Sequence, residues 1–182
     1  VPFTSSFAVF TPNQALSQIR VSVAYNKANV KIIGSHAGIT TGPDGATHQA
    51  LEDIAIMRAI PGMTVLAPCD YWQTRRAVRA AAKINGPVYI RFSRAATPIF
   101  TTSETSFQIG KALQLWKSDA PKVAILSTGS LSYAALTAAQ ALFSEGIGSI
   151  VVHVPTVKPL DEEALLEAVR EVDCVVTVEE HQ

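Results

Sequence analysis

The sequence predicts an α/β fold built from two three-layer α/β units with mostly parallel sheets, and three observations carry that expectation. Short continuous runs rich in valine and isoleucine recur along the chain, as in strands covered on both faces. Between them lie longer stretches with helical spacing and readable start and stop signals. The rhythm breaks once, at a polar stretch near the middle. Alternating strands and helices of this kind build βαβ units.

From the beginning of the chain, Thr11 followed by Pro12 reads as an N-cap and a first-turn proline, and Leu16, Ile19 and Val23 then share one helical face. Residues 29–34 (NVKIIG) form the first strand candidate, followed by a polar loop and a helix. Residues 63–67 (MTVLA) form the next, and Asp70 then caps a helix that runs to about Ile84 and stops at Asn85, Gly86 and Pro87. Residues 88–92 (VYIRF) complete the first unit's strands. The break spans residues 95–120: AATPIFTTSETS reads as a linker, and FQIGKALQLW alternates loosely, as an edge strand does. Residues 122–126 (KVAIL), 149–154 (SIVVHV) and 174–178 (CVVTV) are the strands of the second unit. Ser130 is placed to cap a helix through Phe143, which stops before Gly146. Asp161 starts another helix through about Val172, with Glu162 and Glu163 complementing its dipole. The units are residues 1–105 and 106–182; the second, with three strands and two helices, is thin for a free-standing core.

Composition excludes several functions. Hydrophobic residues make up 48% and charged residues 16%, a balance that suits a packed core. Fifteen basic residues offset fifteen acidic ones, so no overall field draws the chain to nucleic acid or to an anionic membrane. No apolar run approaches the roughly 20 residues a membrane helix needs. VPFTSSFAVF has no basic region before its apolar residues and does not read as a signal peptide; nor, without methionine, does it read as a natural start. Cys69 and Cys174 have no metal-ligand spacing and are expected to be two buried thiols of a cytoplasmic protein.

Residues 35–48 (SHAGITTGPDGATH) carry the densest chemistry. The segment follows a strand and precedes a helix, where an open α/β sheet places its ligand loops. Its glycines let the backbone approach a ligand, and His36, Asp44 and His48 can donate, accept or titrate. An ordinary polar loop, with Asp44 and Gly45 as a turn, is the competing reading. Neither GxxxxGK[ST] nor GxGxxG occurs.

The run GPDGATHQALEDIAIMRAIPGMTVLAPCD resembles a signature segment of transketolases and of the related deoxyxylulose-phosphate synthases. The resemblance extends to PFTSSFAVF, to GPVYIRFSR and, more weakly, to LSTGS and TVEEH, and so covers nearly the whole chain. It implies a thiamin-diphosphate-binding fold: the first unit resembles a pyrimidine-binding domain and the second a transketolase C-terminal domain. Phe7 and Phe10 would stack on the cofactor's aminopyrimidine ring, although a plain core pair is what their residue type alone suggests. Asn13 stands where transketolases often have a third aromatic, and Pro43 where a small or acidic residue is more usual. Asp44 would read a sugar hydroxyl, and His48 would stand beside the reacting carbon to move a proton or orient the oxyanion. His36 and Arg94 would hold the sugar phosphate, Arg94 because a planar guanidinium meets two phosphate oxygens at once. Arg94 also follows the VYIRF strand at its carboxyl end, on the sheet edge of the His36 loop. Arg91, inside that strand, is either a second anion ligand or a surface residue.

In these families the diphosphate is held through magnesium on a GDG…N motif, which this sequence lacks. The glutamate that activates the pyrimidine would fall before Val1, and a last strand and helix would follow VEEH. The expectation is therefore a piece cut at both ends and inactive alone. It would need a diphosphate-binding domain or subunit carrying GDG…N, in a homodimer or heterotetramer acting on sugar phosphates, with neither nucleic acid nor membrane as partner. The parent reaction would move a two-carbon ketol unit between ketose and aldose phosphates. Deoxyxylulose-phosphate synthase is the alternative enzyme, disfavoured by His36 because those synthases carry an acidic residue there. The β subunit of a 2-oxoacid dehydrogenase lacks this Asp-Gly-x-Thr-His order, and a non-catalytic assembly or regulatory module is the reading from outside enzymology.

Overall fold

The computed structural model describes all 182 residues, Val1–Gln182. In order, the elements are β1 (Phe3–Phe7), α1 (Thr11–Gln14), α2 (Leu16–Gln18), a π-helical segment Ile19–Tyr25, β2 (Lys31–Ser35), α3 (Asp53–Ala59), β3 (Thr64–Leu66), α4 (Tyr71–Lys83) and β4 (Val88–Arg91). Then come β5 (Leu113–Lys117), β6 (Val123–Ser127), α5 (Ser132–Ser144), β7 (Ser149–His153), β8 (Thr156–Lys158), α6 (Glu162–Arg170) and β9 (Cys174–Val178).

Two sheets result, in the orders β1-β2-β4-β3-β8 and β5-β7-β6-β9. All pairs are parallel except β3 with β8 and β5 with β7. Each sheet is sandwiched between helices, which is why its central strands read as unbroken apolar runs. In the first, Ile32, Val65 and Tyr89 pack with Ile19, Ile54 and Met57 on one face. Alternate residues Leu66, Val88 and Ile90 meet Ala77 and Ala81 of α4 on the other. In the second, Ile125 and Val151 face α5 through Ala135 and Ala139, while Ile150 and Val152 face Ala168 of α6. The two units are thus mostly parallel α/β layers, as the sequence predicts.

The six predicted β-branched strands all form, and the loosely alternating stretch becomes the antiparallel edge strand β5. Two strands escape a reading by pattern. β1 (FTSSF) is a polar, largely exposed edge strand. β8 is three residues long and crosses from the second half of the chain to extend the first sheet.

Asp70 and Asp161 cap α4 and α6 as expected, accepting from Gln73 N and Ala164 N. Thr11 does not cap: it is the first helical residue, after Phe10, and Leu16, Ile19 and Val23 still meet the core although the winding loosens to a π-helix. Ser130 lies in a 3-10 turn before α5, whose N-cap is Leu131. The cysteines are both free; Cys69 is buried, but Cys174 on the edge strand β9 is exposed, contrary to the expected buried pair. Burial beside Asp70 pushes the Cys69 thiol up, so it is no nucleophile. The segment read as a linker is pinned: the Asp70 carboxylate accepts from Phe100 N, Thr101 N and Thr101 Oγ1.

Candidate functional site

Three neighbouring parallel strands end together at the carboxyl edge of the first sheet. Phe7 of β1 is paired with Ser35 of β2, and Gly34 of β2 with Arg91 of β4. The residues that leave these strands therefore converge, where open α/β sheets bind ligands. The floor beneath them is a small cluster of fully buried alanines, Ala8, Ala37 and Ala50.

Four of the six predicted site residues form one aromatic surface here. His36 has a left-handed backbone (φ 55°) that lays its ring flat on Phe7, centroids 3.9 Å apart and planes 10° apart. Phe10 stacks offset from Phe7 at 5.9 Å. His48 meets both edge-on, at 5.4 Å from Phe10 and 6.0 Å from Phe7. Edge-to-face and offset contacts of this kind are the favourable ones for aromatic rings. His36 Nδ1 lies 3.2 Å from Ser35 Oγ, and His48 Nδ1 2.9 Å from Thr47 Oγ1, so the Nε2 atom of each ring is left for a ligand.

Asp44 and Arg94 complete the group through the loop between Gly38 and Gly45. Asp44 ends a 3-10 segment (Ile39–Asp44) and is exposed, not on the aromatic surface itself. Arg94 is also exposed, and its Nη1 donates to Thr41 O at 3.1 Å, which draws the guanidinium onto the loop. Thr41, fully buried, ties the loop down by donating to His36 O at 2.6 Å.

Arg91 is neither of the things its residue type suggested. It is 5% exposed, and its Nε lies 3.0 Å from Asp53 Oδ2, itself held by Tyr89 Oη at 2.7 Å. Alternation in β4 turns Arg91 inward beside Tyr89's face, so an internal ion pair absorbs its charge. Burial, with the same carboxylate beside it, pushes the Tyr89 hydroxyl well above its ordinary range. No group of three or more His, Cys, Asp or Glu side chains is placed to hold a metal ion.

The end of the chain, Glu179 to Gln182, crosses to this site, a neighbourhood that no local signal in the sequence predicts. Glu180 is buried and accepts from Thr40 N and Thr40 Oγ1. Its carbonyl accepts from Arg91 Nη2 at 2.7 Å. His181 Nε2 accepts from Ile54 N and Ala55 N, satisfying N–H groups that the first turn of α3 leaves open.

Known proteins agree with this architecture. Residues 1–99 match the model of the transketolase pyrimidine-binding domain, and residues 110–182 that of the transketolase C-terminal domain. The chain belongs to the transketolase family. It is 46% identical, over its whole length, to a putative transketolase C-terminal section of Methanocaldococcus jannaschii, of which it covers 56%. It is 44% identical to a 6-deoxy-6-sulfo-D-fructose transketolase subunit of a Clostridium species, with 98% of the chain and 55% of that subunit matched. Among solved structures, a split-gene transketolase captured as an inactive beta4 tetramer superposes with a TM-score of 0.90 at 44% identity, covering all of this chain and 58% of that one. Transketolase from Leishmania mexicana superposes at 0.84 with 27% identity, over the whole chain and 27% of the enzyme. The chain spans little more than half the length of the subunit-sized relatives it matches.

Proposed function

We propose that this chain supplies the sugar-reading and pyrimidine-stacking wall of a thiamin-diphosphate-dependent transketolase, completed by a diphosphate-binding subunit or domain carrying GDG…N. The observation that carries the proposal is the convergence of Phe7, Phe10, His36 and His48 into one aromatic surface, with Arg94 on the adjoining loop. Residues 1–105 and 106–182 would be the pyrimidine-binding and C-terminal domains.

A half-buried phenylalanine pair bordered by two imidazoles fits an aminopyrimidine ring, which needs aromatic faces and a few polar edges. The sequence carries no GDG…N motif and no group of three or more His, Cys, Asp or Glu side chains is placed to hold a metal ion, which is the reason to assign magnesium and diphosphate to a partner. Thiamin diphosphate, when bound, supplies the nucleophilic carbon that carries the two-carbon unit. His48, edge-on to the Phe pair with Nε2 unengaged, would hold or pass a proton at the substrate oxygen. His36 and Arg94 would hold the phosphate, Arg94 with the guanidinium nitrogens not spent on Thr41. Asp44 would accept from a sugar hydroxyl and so favour one epimer. Alone the chain would be inactive, since a wall without the charged end of the cofactor positions nothing.

The test is reconstitution. The chain in its full natural length is mixed with a diphosphate-binding transketolase subunit, thiamin diphosphate and magnesium, and two-carbon transfer is followed from ketose to aldose phosphates. Activity in the mixture and none in either component is the expected result. Formation of a deoxyxylulose phosphate from pyruvate and a triose phosphate, with release of carbon dioxide, would favour the synthase instead, and no turnover in any such complex would favour a non-catalytic module.

A further inference from the structure

We infer that Glu180, delivered by the last strand of the second unit, is a positioning residue for the sugar-reading loop of the first; the inference builds on the proposed function. The loop between Gly38 and Gly45 is tied to the first unit at Gly38, whose N–H donates to Ala50 O, and at the buried Thr41, but its winding gives it little stiffness of its own. It is a single irregular 3-10 segment interrupted at Gly42, with Gly38, Gly42 and Gly45 all at positive φ. Yet it must hold Asp44 and, through Thr41, both Arg94 and the His36 backbone.

Glu180 adds a constraint from the second unit, at Thr40. Its carboxylate takes the Thr40 N–H on one oxygen and the Thr40 hydroxyl on the other. A buried carboxylate is costly without donors, so the loop is held where those donors lie. The next residue, Thr41, passes the position on: its carbonyl accepts from Arg94 Nη1, and its hydroxyl donates to His36 O and Gly38 O. Glu180 cannot drift, because its own carbonyl is bound by Arg91, which is bound by Asp53, and Gln182 N donates to Leu51 O. The fit leaves room for nothing else: a Cβ on Gly38 would lie 2.2 Å from Glu180 Cδ. The second unit thereby fixes the place of the loop's sugar-facing groups without touching substrate. That gives it a role in affinity for the sugar phosphate rather than in the chemical step.

Two readouts test this on the full-length chain. Hydrogen exchange at residues 38–45 needs no activity: Glu180→Ala should speed exchange of the Thr40 amide by roughly tenfold or more, since a charge-assisted bond is lost. In the reconstituted enzyme, Glu180→Ala should raise KM for phosphorylated sugars roughly tenfold, with kcat and thiamin diphosphate affinity within about twofold. Glu180→Gln keeps an acceptor for the amide and a donor for the hydroxyl, and should restore most of the loss. Thr40→Val, which removes the hydroxyl donor, should give a smaller change of the same kind and serves if Glu180→Ala does not fold. Unchanged loop exchange, or KM, kcat and cofactor affinity falling together, overturns the inference. If the wild-type complex transfers no ketol unit, the functional reading has failed, and the exchange data still decide whether Glu180 holds the loop.

Discussion

Acidification should loosen the joint between the two units through a single imidazole. His153 of β7 is completely buried, with Nδ1 2.7 Å from Ser132 Oγ and Nε2 2.6 Å from Gln73 Oε1 on α4 of the first unit. Ser127 Oγ donates to Ser132 Oγ, Ser132 donates to Nδ1, and Nε2–H donates to the Gln73 carbonyl, so the order of protons suits the neutral ring. Burial pushes its pKa down to about 3, against upward pulls from a hydrogen bond with the Ser127 backbone and, less, from Asp70. The unfolded chain binds this proton near 6.5 and the folded chain does not, so the contribution is complete above about pH 6.5 and is lost as pH falls toward 3. The slope is about 1.4 kcal/mol per pH unit in that window, and the wild type should lose roughly 2 kcal/mol between pH 7.5 and 5. Urea unfolding followed by circular dichroism at half-unit steps measures it, with His153→Gln as the non-titrating control. The variant should be less stable at pH 7.5 yet show a flatter pH dependence. Equal slopes in the two proteins, or a His153 ring proton titrating near 6.5 in the folded chain, would refute the reasoning.

Arg94→Ala in the reconstituted enzyme should raise KM for phosphorylated substrates by roughly ten- to a hundredfold, the worth of a hydrogen-bonded charge, while unphosphorylated analogues change little. Equal losses for both substrate types would remove the phosphate role. Asp44→Ala should cut discrimination between sugar epimers roughly tenfold, read from kcat/KM ratios; an unchanged ratio would leave Asp44 as a turn residue. Gly34→Ala should destabilise by about 2–4 kcal/mol, because the new Cβ would lie 2.1 Å from Tyr89 Oη and displace it from Asp53. A shift in urea midpoint worth under about 0.5 kcal/mol would show that Tyr89 moves freely.

Much of the fold was legible because its signals are local. Ile150, Val151 and Val152 announce a two-sided strand by being apolar at successive positions, and Asp70 and Asp161 announce helix starts through side chains that reach only three residues on. The loop at residues 35–48 was legible as chemistry for the same reason, since its histidines, aspartate and glycines are adjacent in the chain. β1 and β8 gave no such signal: one is a polar edge and the other too short for a pattern, and both exist because a neighbouring strand offers them hydrogen bonds. Arg91 was misjudged as an anion ligand or surface group because its partner, Asp53, stands 38 residues away.

The sequence by itself determined the two α/β units, the six β-branched strands and the polar, glycine-rich segment at residues 35–48 that holds His36, Asp44 and His48. Periodicity and loop composition are properties of neighbouring residues, so no folding is needed to read them. Only the tertiary structure decided that Arg91 spends its charge inside, that His153 bridges the units uncharged, and that the second unit's Glu180 holds the first unit's loop. Each of these depends on which polar partner is brought within about 3 Å when the core excludes water, and that is settled by packing over tens to more than a hundred residues of chain.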